Sequence, residues 1–389
     1  MRAGLAQAKG ALDRWLDRRT VRAALLAAAG AVYLWAYATD PMNPGSTAPA
    51  ERAGWWSWFD QYRYLQSAAD LAQGRISPEH YHYPLGYPLL GAPFWPLFPG
   101  HAFLVPNLVL VLLSVALAWM LARRWFGPAA TLALGLGFLA THASLLRLTW
   151  VIPWNTLPVQ AAFLAGLWLV LARRDRTALL ALAGLGAATY LVRPSDAACF
   201  GPLLVYATLR LPSWRERIVG GAAGLLIVAS AVAAVAAVNL SVFGDWRTPY
   251  ERMSVTNIGF LAYPYSYKLY WTFVDGETFF GEYGAALLFR YPWLFALVPG
   301  LVWLVRREGA AGAVAAGAVL LNVGLYVAYN DFLPSGLFRF SLVHYVSWAF
   351  VPLGLAVAGA FVHGWRDRFV AAGWVAAAAL DCPAPAVAG

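Results

Sequence analysis

Apolar residues recur along this chain in long unbroken runs, not in the alternation of a half-buried strand or the single stripe of a surface helix. The runs cover roughly 21–38, 101–122, 128–146, 155–172, 177–192, 197–209, 218–240, 289–305, 309–329 and 342–363, with a weaker one at 369–380. Measured against the ~20 residues that carry a helix across a bilayer, they predict an all-α, multi-span membrane protein of ten or eleven transmembrane helices. The runs at 177–192 and 197–209 are short for full crossings and pair as a hairpin with "YLVRPSD" at its tip. Ahead of the first run, Leu5, Ala8, Leu12 and Trp15 keep helical spacing, which predicts an interfacial helix over 1–20. "AYATD" at 36–40 has the small residues of a cleavage site, but the long N-region before it favours an uncleaved anchor.

Polar residues collect in two long connections, a first outer loop at 40–100 and a second at 241–288, while the intervening loops on the other side are only a few residues long. Both large loops are rich in aromatics and proline, as in "WWSWF", "YHYPLGYPLLGAPFWPLFPG" and "YPYSYKLYWTF". Such segments suit the headgroup level or a re-entrant path between helices. With no internal repeat and no low-complexity linker, residues 1–389 read as a single membrane domain.

Composition and charge sharpen the picture. A mean hydropathy of +0.58, with 61% hydrophobic and 12% charged residues, lies outside the range of soluble domains. The net charge of +9 is mostly a matter of topology: 18 of the 28 basic residues, but 6 of the 19 acidic ones, fall on the side that carries the N-terminus. Arg123, Arg173, Arg210, Arg306 and Arg366 each mark a short loop on that side, so the N-terminus is expected in the cytoplasm and the large loops outside. Nucleic acid is not needed to explain the basic balance. Cys199 and Cys382 are too few for a disulfide framework or a thiolate metal site. There is no Walker A sequence, no dinucleotide glycine fingerprint and no Asp-x-Asp, which disfavours ATP-driven transport and cytosolic nucleotide-sugar transfer.

The chemistry that remains centres on "FDQYRYLQSAADLAQG" at 59–74. Asp60 is a natural N-cap for an amphipathic helix over 61–73 stopped by Gly74. An acid at a helix start, at the bilayer edge and walled by aromatics, is equally placed to act as general base for an acceptor hydroxyl.

This stretch and "YHYPLGYPLLGAPF" at 81–94 resemble the first outer loop of the GT-C superfamily, the multi-span glycosyltransferases that use polyprenyl-phosphate sugars and include protein O-mannosyltransferases and the aminoarabinose transferases of lipid A. "NLSVFGDWRTPY" at 239–250, "LLFRYPWLFALVPGLVWL" at 287–304 and "FRFSLVHYVSWAFVPLGLA" at 338–356 resemble that family's second outer loop, eighth span and a late Arg-plus-His stretch. Many members have Asp-Glu where this chain has Asp60-Gln61, so a metal shared by adjacent acids is not implied. The resemblance is to a minimal member. It implies GT-C-like architecture and an inverting hexosyl or pentosyl transfer from a polyprenyl-phosphate donor to a lipid, glycan or protein acceptor, on the outer face of the inner membrane.

Such a transfer needs cationic donors for the departing phosphate, and arginine suits that role through its forked donors. Arg193, Arg339, His344 and Lys268, all in outer segments, are the expected lipid-phosphate ligands. Each has a plainer role open to it: an ion pair between Arg193 and Asp196, snorkelling of Arg339, simple packing of His344. Tyr62, Tyr83, Tyr87 and Trp58 would wall the prenyl chain or sugar, or merely populate an interfacial belt. Glu251, with Asp275, Glu277 and Glu282, would line the acceptor side, and a solvated loop explains these acids equally well. The chemistry requires no cofactor; were a divalent ion to take part, His80 and His82, with Glu79 and Asp60, are the candidate ligands. Two other functions stay open: a secondary transporter or lipid flippase, and a non-catalytic envelope assembly protein.

Overall fold

The computed structural model of the chain describes residues 10–40, 59–260, 264–277, 286–330 and 345–364. It is all-helical, and the described residues hold no strand beyond an isolated bridge between Phe260 and Tyr329. After a helical segment over 10–16, the principal elements are α1 (Arg19–Thr39), α2 (Phe59–Ala72), α3 (Gly86–Gly91), α4 (Leu104–Trp125), α5 (Pro128–Thr141), α6 (Thr156–Ala172) and α7 (Arg176–Val192). The short α8 (Pro194–Ala197) leads into α9 (Phe200–Leu209), followed by α10 (Trp214–Phe243), α11 (Pro249–Met253) and α12 (Tyr265–Phe273). Last come α13 (Leu297–Glu308), α14 (Ala310–Ala328) and α15 (Phe350–Gly364).

Five helical stretches among the described residues are long and apolar enough to cross a membrane: α1, α4, α10, α14 and the segment Ser347–Gly364 that contains α15. Three further apolar helices, α5, α6 and α7, are 14, 17 and 17 residues long, below the ~20 that a straight crossing uses. The described residues are thus all-helical with five candidate membrane-crossing helices, and the ten apolar runs do not form ten uniform helices among them. The predicted span at 289–305 is broken by Pro292, which has no N–H to donate and opens a 3₁₀ turn before α13 begins. The span predicted at 128–146 stops at Thr141, and a π turn follows over Arg147–Val151. There Arg147 reaches back to Asp40 with two hydrogen bonds, Nε–Oδ2 2.6 Å and Nη2–Oδ1 2.9 Å, pinning the end of α1. The run at 197–209 supplies only the ten residues of α9, and the weak run at 369–380 lies outside the described residues.

Polar contacts separate the two ends of the bundle. At one end Arg123 meets Asp17 at 3.0 Å, Arg124 meets Glu308 at 2.8 Å, and Asp13 Oδ1 accepts from the Ala129 N–H at 3.0 Å. These are all segments that the arginine pattern assigns to a single side. The other ends of the same helices gather Asp40, Trp154 and Arg193 under the two large loops. Between the ends the core is aliphatic and aromatic, centred on Leu157, Phe163 and Leu164 of α6 against Phe200 and Trp348.

α10 stands apart: its 30 residues face mostly outward, and it packs on α7 through Gly220, where an added Cβ would lie 3.1 Å from Leu179. Small residues that let helix backbones approach are the usual currency of packing in lipid, where apolar side chains gain little by leaving the tails. Gly86 matters more for the site. A Cβ there would sit 2.4 Å from the Leu191 carbonyl oxygen, so only glycine lets the first loop rest on the end of α7. Gly86→Ala is expected to destabilise the protein by about 1–3 kcal/mol through overpacking, read as a lower melting temperature in detergent.

Candidate functional site

Asp60 lies inside the first turn of α2 and not at the N-cap position expected for it. The carboxylate is not spent on capping. It accepts a hydrogen bond from the Tyr83 hydroxyl and another, at 3.3 Å, from the Trp154 indole Nε1. A negative side chain in the first turn still suits the helix dipole. Burial raises the Asp60 pKa above the usual carboxylate range, against the opposing pull of the Tyr83 and Trp154 hydrogen bonds and the Arg193 charge. α2 ends as predicted, with Gly74 in the left-handed region at φ 71°.

Asp60 opens onto a cavity of about 250 Å³, far above the about 10–15 Å³ that one water needs. Six tyrosines wall it: Tyr64, Tyr83, Tyr250, Tyr326, Tyr329 and Tyr345. The first and second large loops, far apart in sequence, meet here, with the Tyr83 and Tyr250 rings 4.8 Å apart at a steep angle. Asn155 ties the start of α6 to the end of α7 by donating to the Val192 carbonyl at 3.3 Å, beside Trp154 and Arg193.

Arg193 comes to the cavity because Pro194 follows it. The residue before a proline is pushed out of the helical region, and Arg193 is extended at φ −157°, ψ 91°, ending α7 and starting α8. Its side chain is 7% exposed. Nε lies 3.1 Å from Asp196 Oδ2, and the guanidinium carbon sits 4.9 Å and 5.2 Å from the ring centres of Tyr326 and Tyr345. Its Nη1 is buried and has no hydrogen-bond partner among the described residues. Arg193 thus lines the cavity while its Nε faces Asp196 and its buried Nη1 has no partner among the described residues.

Of the residues singled out from the sequence, Asp60, Tyr83, Arg193 and Glu251 therefore share one cavity. Glu251 also starts α11, accepting from the Thr248 N–H at 2.8 Å while Thr248 Oγ1 accepts from the Glu251 N–H at 3.1 Å. The others go elsewhere. Tyr62 is half exposed and does not line the cavity. Tyr87 is wholly buried, donates to Asn107 Oδ1 at 3.0 Å and stacks on Phe103, so it holds α3 against α4. Lys268 is also buried; its ammonium lies 3.2 Å from each of the Ala328 carbonyl, the Tyr329 carbonyl and Asn330 Oδ1, which makes it a cationic cap on α14 and not a free phosphate ligand. Asp275 and Glu277 are not on the cavity either, and Asp275 instead accepts from the Glu277 N–H at 3.0 Å. Arg339, His344, Glu282 and Trp58 lie outside the described residues.

His80 and His82 do not converge on Asp60. His80 Nδ1 is 2.8 Å from Asp70 Oδ2, while His82 packs its ring against Tyr83 at 4.6 Å and Tyr250 at 4.8 Å. Burial, helped by the nearby Arg63 charge, pulls His82 down to about 4, so it is neutral at physiological pH. No group of three or more His, Cys, Asp or Glu with metal-site geometry occurs among the described residues.

Sequence reasoning missed Tyr64, Tyr250, Tyr326, Tyr329, Asn155 and Trp154. Tyr64 had a legible signal, since it follows Asp60 by four residues and so shares its helix face. The other five come together only through the meeting of distant segments, Trp154 by its hydrogen bond to Asp60 and the rest on the cavity wall. No family model, curated protein or solved structure matches the chain. What the site does is therefore argued from its own geometry.

Proposed function

We propose that this protein is a membrane glycosyltransferase of GT-C-like architecture, transferring a sugar from a polyprenyl-phosphate donor to an envelope acceptor on the outer face of the inner membrane. The observation that carries the proposal is the single tyrosine-walled cavity that both Asp60 and Arg193 line, with the Arg193 Nη1 buried and without a partner among the described residues. Aromatic rings suit the apolar faces of a sugar and the first isoprene units, and a buried guanidinium suits a phosphate. The cavity also lies at the end of the bundle opposite the arginine-rich loops, which under the positive-inside rule faces away from the cytoplasm.

In this scheme Asp60 accepts the proton of the acceptor hydroxyl as its oxygen attacks the anomeric carbon. The bond from that carbon to the phosphate oxygen breaks on the opposite side, and the electron pair leaves with the phosphate. One displacement gives inversion at the anomeric carbon. Charge grows on the phosphate as the oxocarbenium-like state forms, and Arg193 Nη1 is placed to stabilise it there. Glu251, on the same cavity, is assigned to the acceptor side.

The test is mass spectrometry of envelope glycolipids and glycoproteins from host cells lacking the protein, with and without complementation. A sugar-sized mass increment that returns with the wild-type chain is the expected result, and its size gives the sugar class. An unchanged glycan profile, or a changed lipid distribution between leaflets with no new linkage, would remove the transferase and favour the flippase function.

A further inference from the structure

The apolar bundle hides a polar assembly that the transfer scheme does not use directly. Asp196 is 0% exposed and lies in α8, one turn past Arg193. One of its oxygens, Oδ2, faces Arg193 Nε at 3.1 Å, and the other, Oδ1, accepts from Asn322 Nδ2 at 2.5 Å. Asn322 is itself 0% exposed and sits in α14, a helix built, apart from Asn322 and Tyr326, of Ala, Gly, Val and Leu. One turn further along α14, Tyr326 lays its ring over the Arg193 guanidinium, and its hydroxyl lies 2.6 Å from Ser195 Oγ. A fully buried carboxylate and amide are costly in an apolar setting unless each has a job or a partner.

The geometry offers a job. Arginine's donors form a rigid planar fork, so fixing Nε fixes the direction of the Nη edge. Asp196 Oδ2 faces Nε at ion-pair distance, Tyr326 and Tyr345 confine the guanidinium at 4.9 Å and 5.2 Å, and Nη1 of this cavity-lining residue is buried without a partner among the described residues. We infer that Asp196 and Asn322 are positioning residues that hold Arg193 as a preorganised receptor for one phosphate monoester or diester group, the lipid phosphate of the donor. This inference rests on the donor class proposed above. Asn322 anchors Asp196 to α14, Asp196 aims Arg193, and Arg193 alone touches the phosphate. The pair also compensates the arginine's charge while the cavity is empty, so the receptor can stay buried without a bound anion.

The experiment uses the full chain purified in detergent micelles. Binding of a sugar-free prenyl monophosphate is measured by calorimetry for wild type, Arg193→Lys, Asp196→Asn and Asn322→Ala, alongside melting temperature and, with a sugar-loaded donor, the donor and acceptor KM. Asp196→Asn keeps the shape and the acceptor for Asn322 while removing the charge at Nε. Asn322→Ala leaves both charges and only releases the anchor, so it remains informative if the first variant fails to fold. The expected result is prenyl-phosphate binding weaker by about tenfold or more in each folded variant, the worth of a charged hydrogen bond. Donor KM should rise with acceptor KM unchanged. A merely structural pair would lower the melting temperature and leave the affinity of the folded fraction intact; that outcome overturns the positioning role. Wild-type chain that binds no prenyl phosphate overturns the receptor itself. If wild type binds prenyl phosphate and the variants lose it, yet no sugar is transferred, the receptor stands and the transferase function falls.

Discussion

Asp60→Asn should lower the transfer rate about 10²–10⁴-fold, the usual contribution of a positioned general base, while the protein remains folded in the membrane. Asn is close in shape to Asp, and its Oδ1 can keep one of the two hydrogen bonds that the Tyr83 hydroxyl and Trp154 indole donate. The second donor then faces an amide NH₂, a local cost of about 1–3 kcal/mol. What Asn cannot do is take a proton. The control is membrane abundance and melting temperature matched to wild type, and activity that survives in the variant would leave Asp60 as a helix-start residue only.

The pH dependence follows from the direction of the Asp60 shift. Burial raises its pKa, so the base form accumulates only above the ordinary carboxylate range, and the acid limb of the rate profile should fall there and not near pH 4. Stability runs the opposite way. A buried acid whose folded pKa is raised contributes stability that is fully present below its unfolded pKa and is lost as pH rises through the folded value. Asp60→Asn should abolish both: the residual rate loses its acid limb, and the stability curve flattens over the same interval. A wild-type rate that is constant across that interval would rule out Asp60 as the titrating base.

The second large effect belongs to Arg193→Met. The change removes the guanidinium but leaves Asp196 wholly buried, with only neutral partners such as Asn322 and Tyr326 against it. Breaking a buried pair by deleting one partner costs about 3–5 kcal/mol because a charge is left uncompensated. A sharp loss of folded protein is expected, seen as a lower melting temperature and lower membrane yield. Adding Asp196→Asn to Arg193→Met should restore much of that stability, since two apolar or neutral groups replace a broken ion pair. It should not restore transfer, because no cation then faces the phosphate. Restored activity in the double variant would show that Arg193 serves the fold and not the reaction.

The all-helical character of the chain and its long apolar helices were legible in its sequence, because a helix satisfies its own backbone groups and the apolar runs that would suit lipid are written in consecutive residues. The segregation of arginines was legible for a similar reason, since charge near span ends is set by topology and not by packing. The starting acid of α2 and its glycine stop were legible from local chemistry. So was the contact of Arg193 with Asp196, three residues apart across a proline-started turn.

What the sequence misread were properties that depend on partners. Lys268 and Arg193 look alike as isolated cations in outer segments, yet the ammonium of Lys268 is satisfied by the end of α14, while the guanidinium of Arg193 keeps an edge free. Tyr83 and Tyr87 sit four residues apart, but one reaches Asp60 and the other is buried against Phe103. His80 and His82 look like a ligand pair, and each is drawn off by its own neighbour, Asp70 in one case and the Tyr83–Tyr250 pair in the other. Hydropathy likewise does not register where an apolar run breaks into shorter helices, as at Pro292 within 289–305.

By itself, then, the sequence determined an all-helical membrane protein with two large polar connections and an acid at the start of one of them. It could do so because periodicity, length and charge placement act locally and are written in consecutive residues. Only the tertiary structure decided that Asp60, Arg193 and Glu251 face one tyrosine-walled cavity, and that Asn322 reaches Arg193 through Asp196. Those relations join residues up to hundreds of positions apart, and a side chain's role there is set by which donor or acceptor its neighbours have left unused.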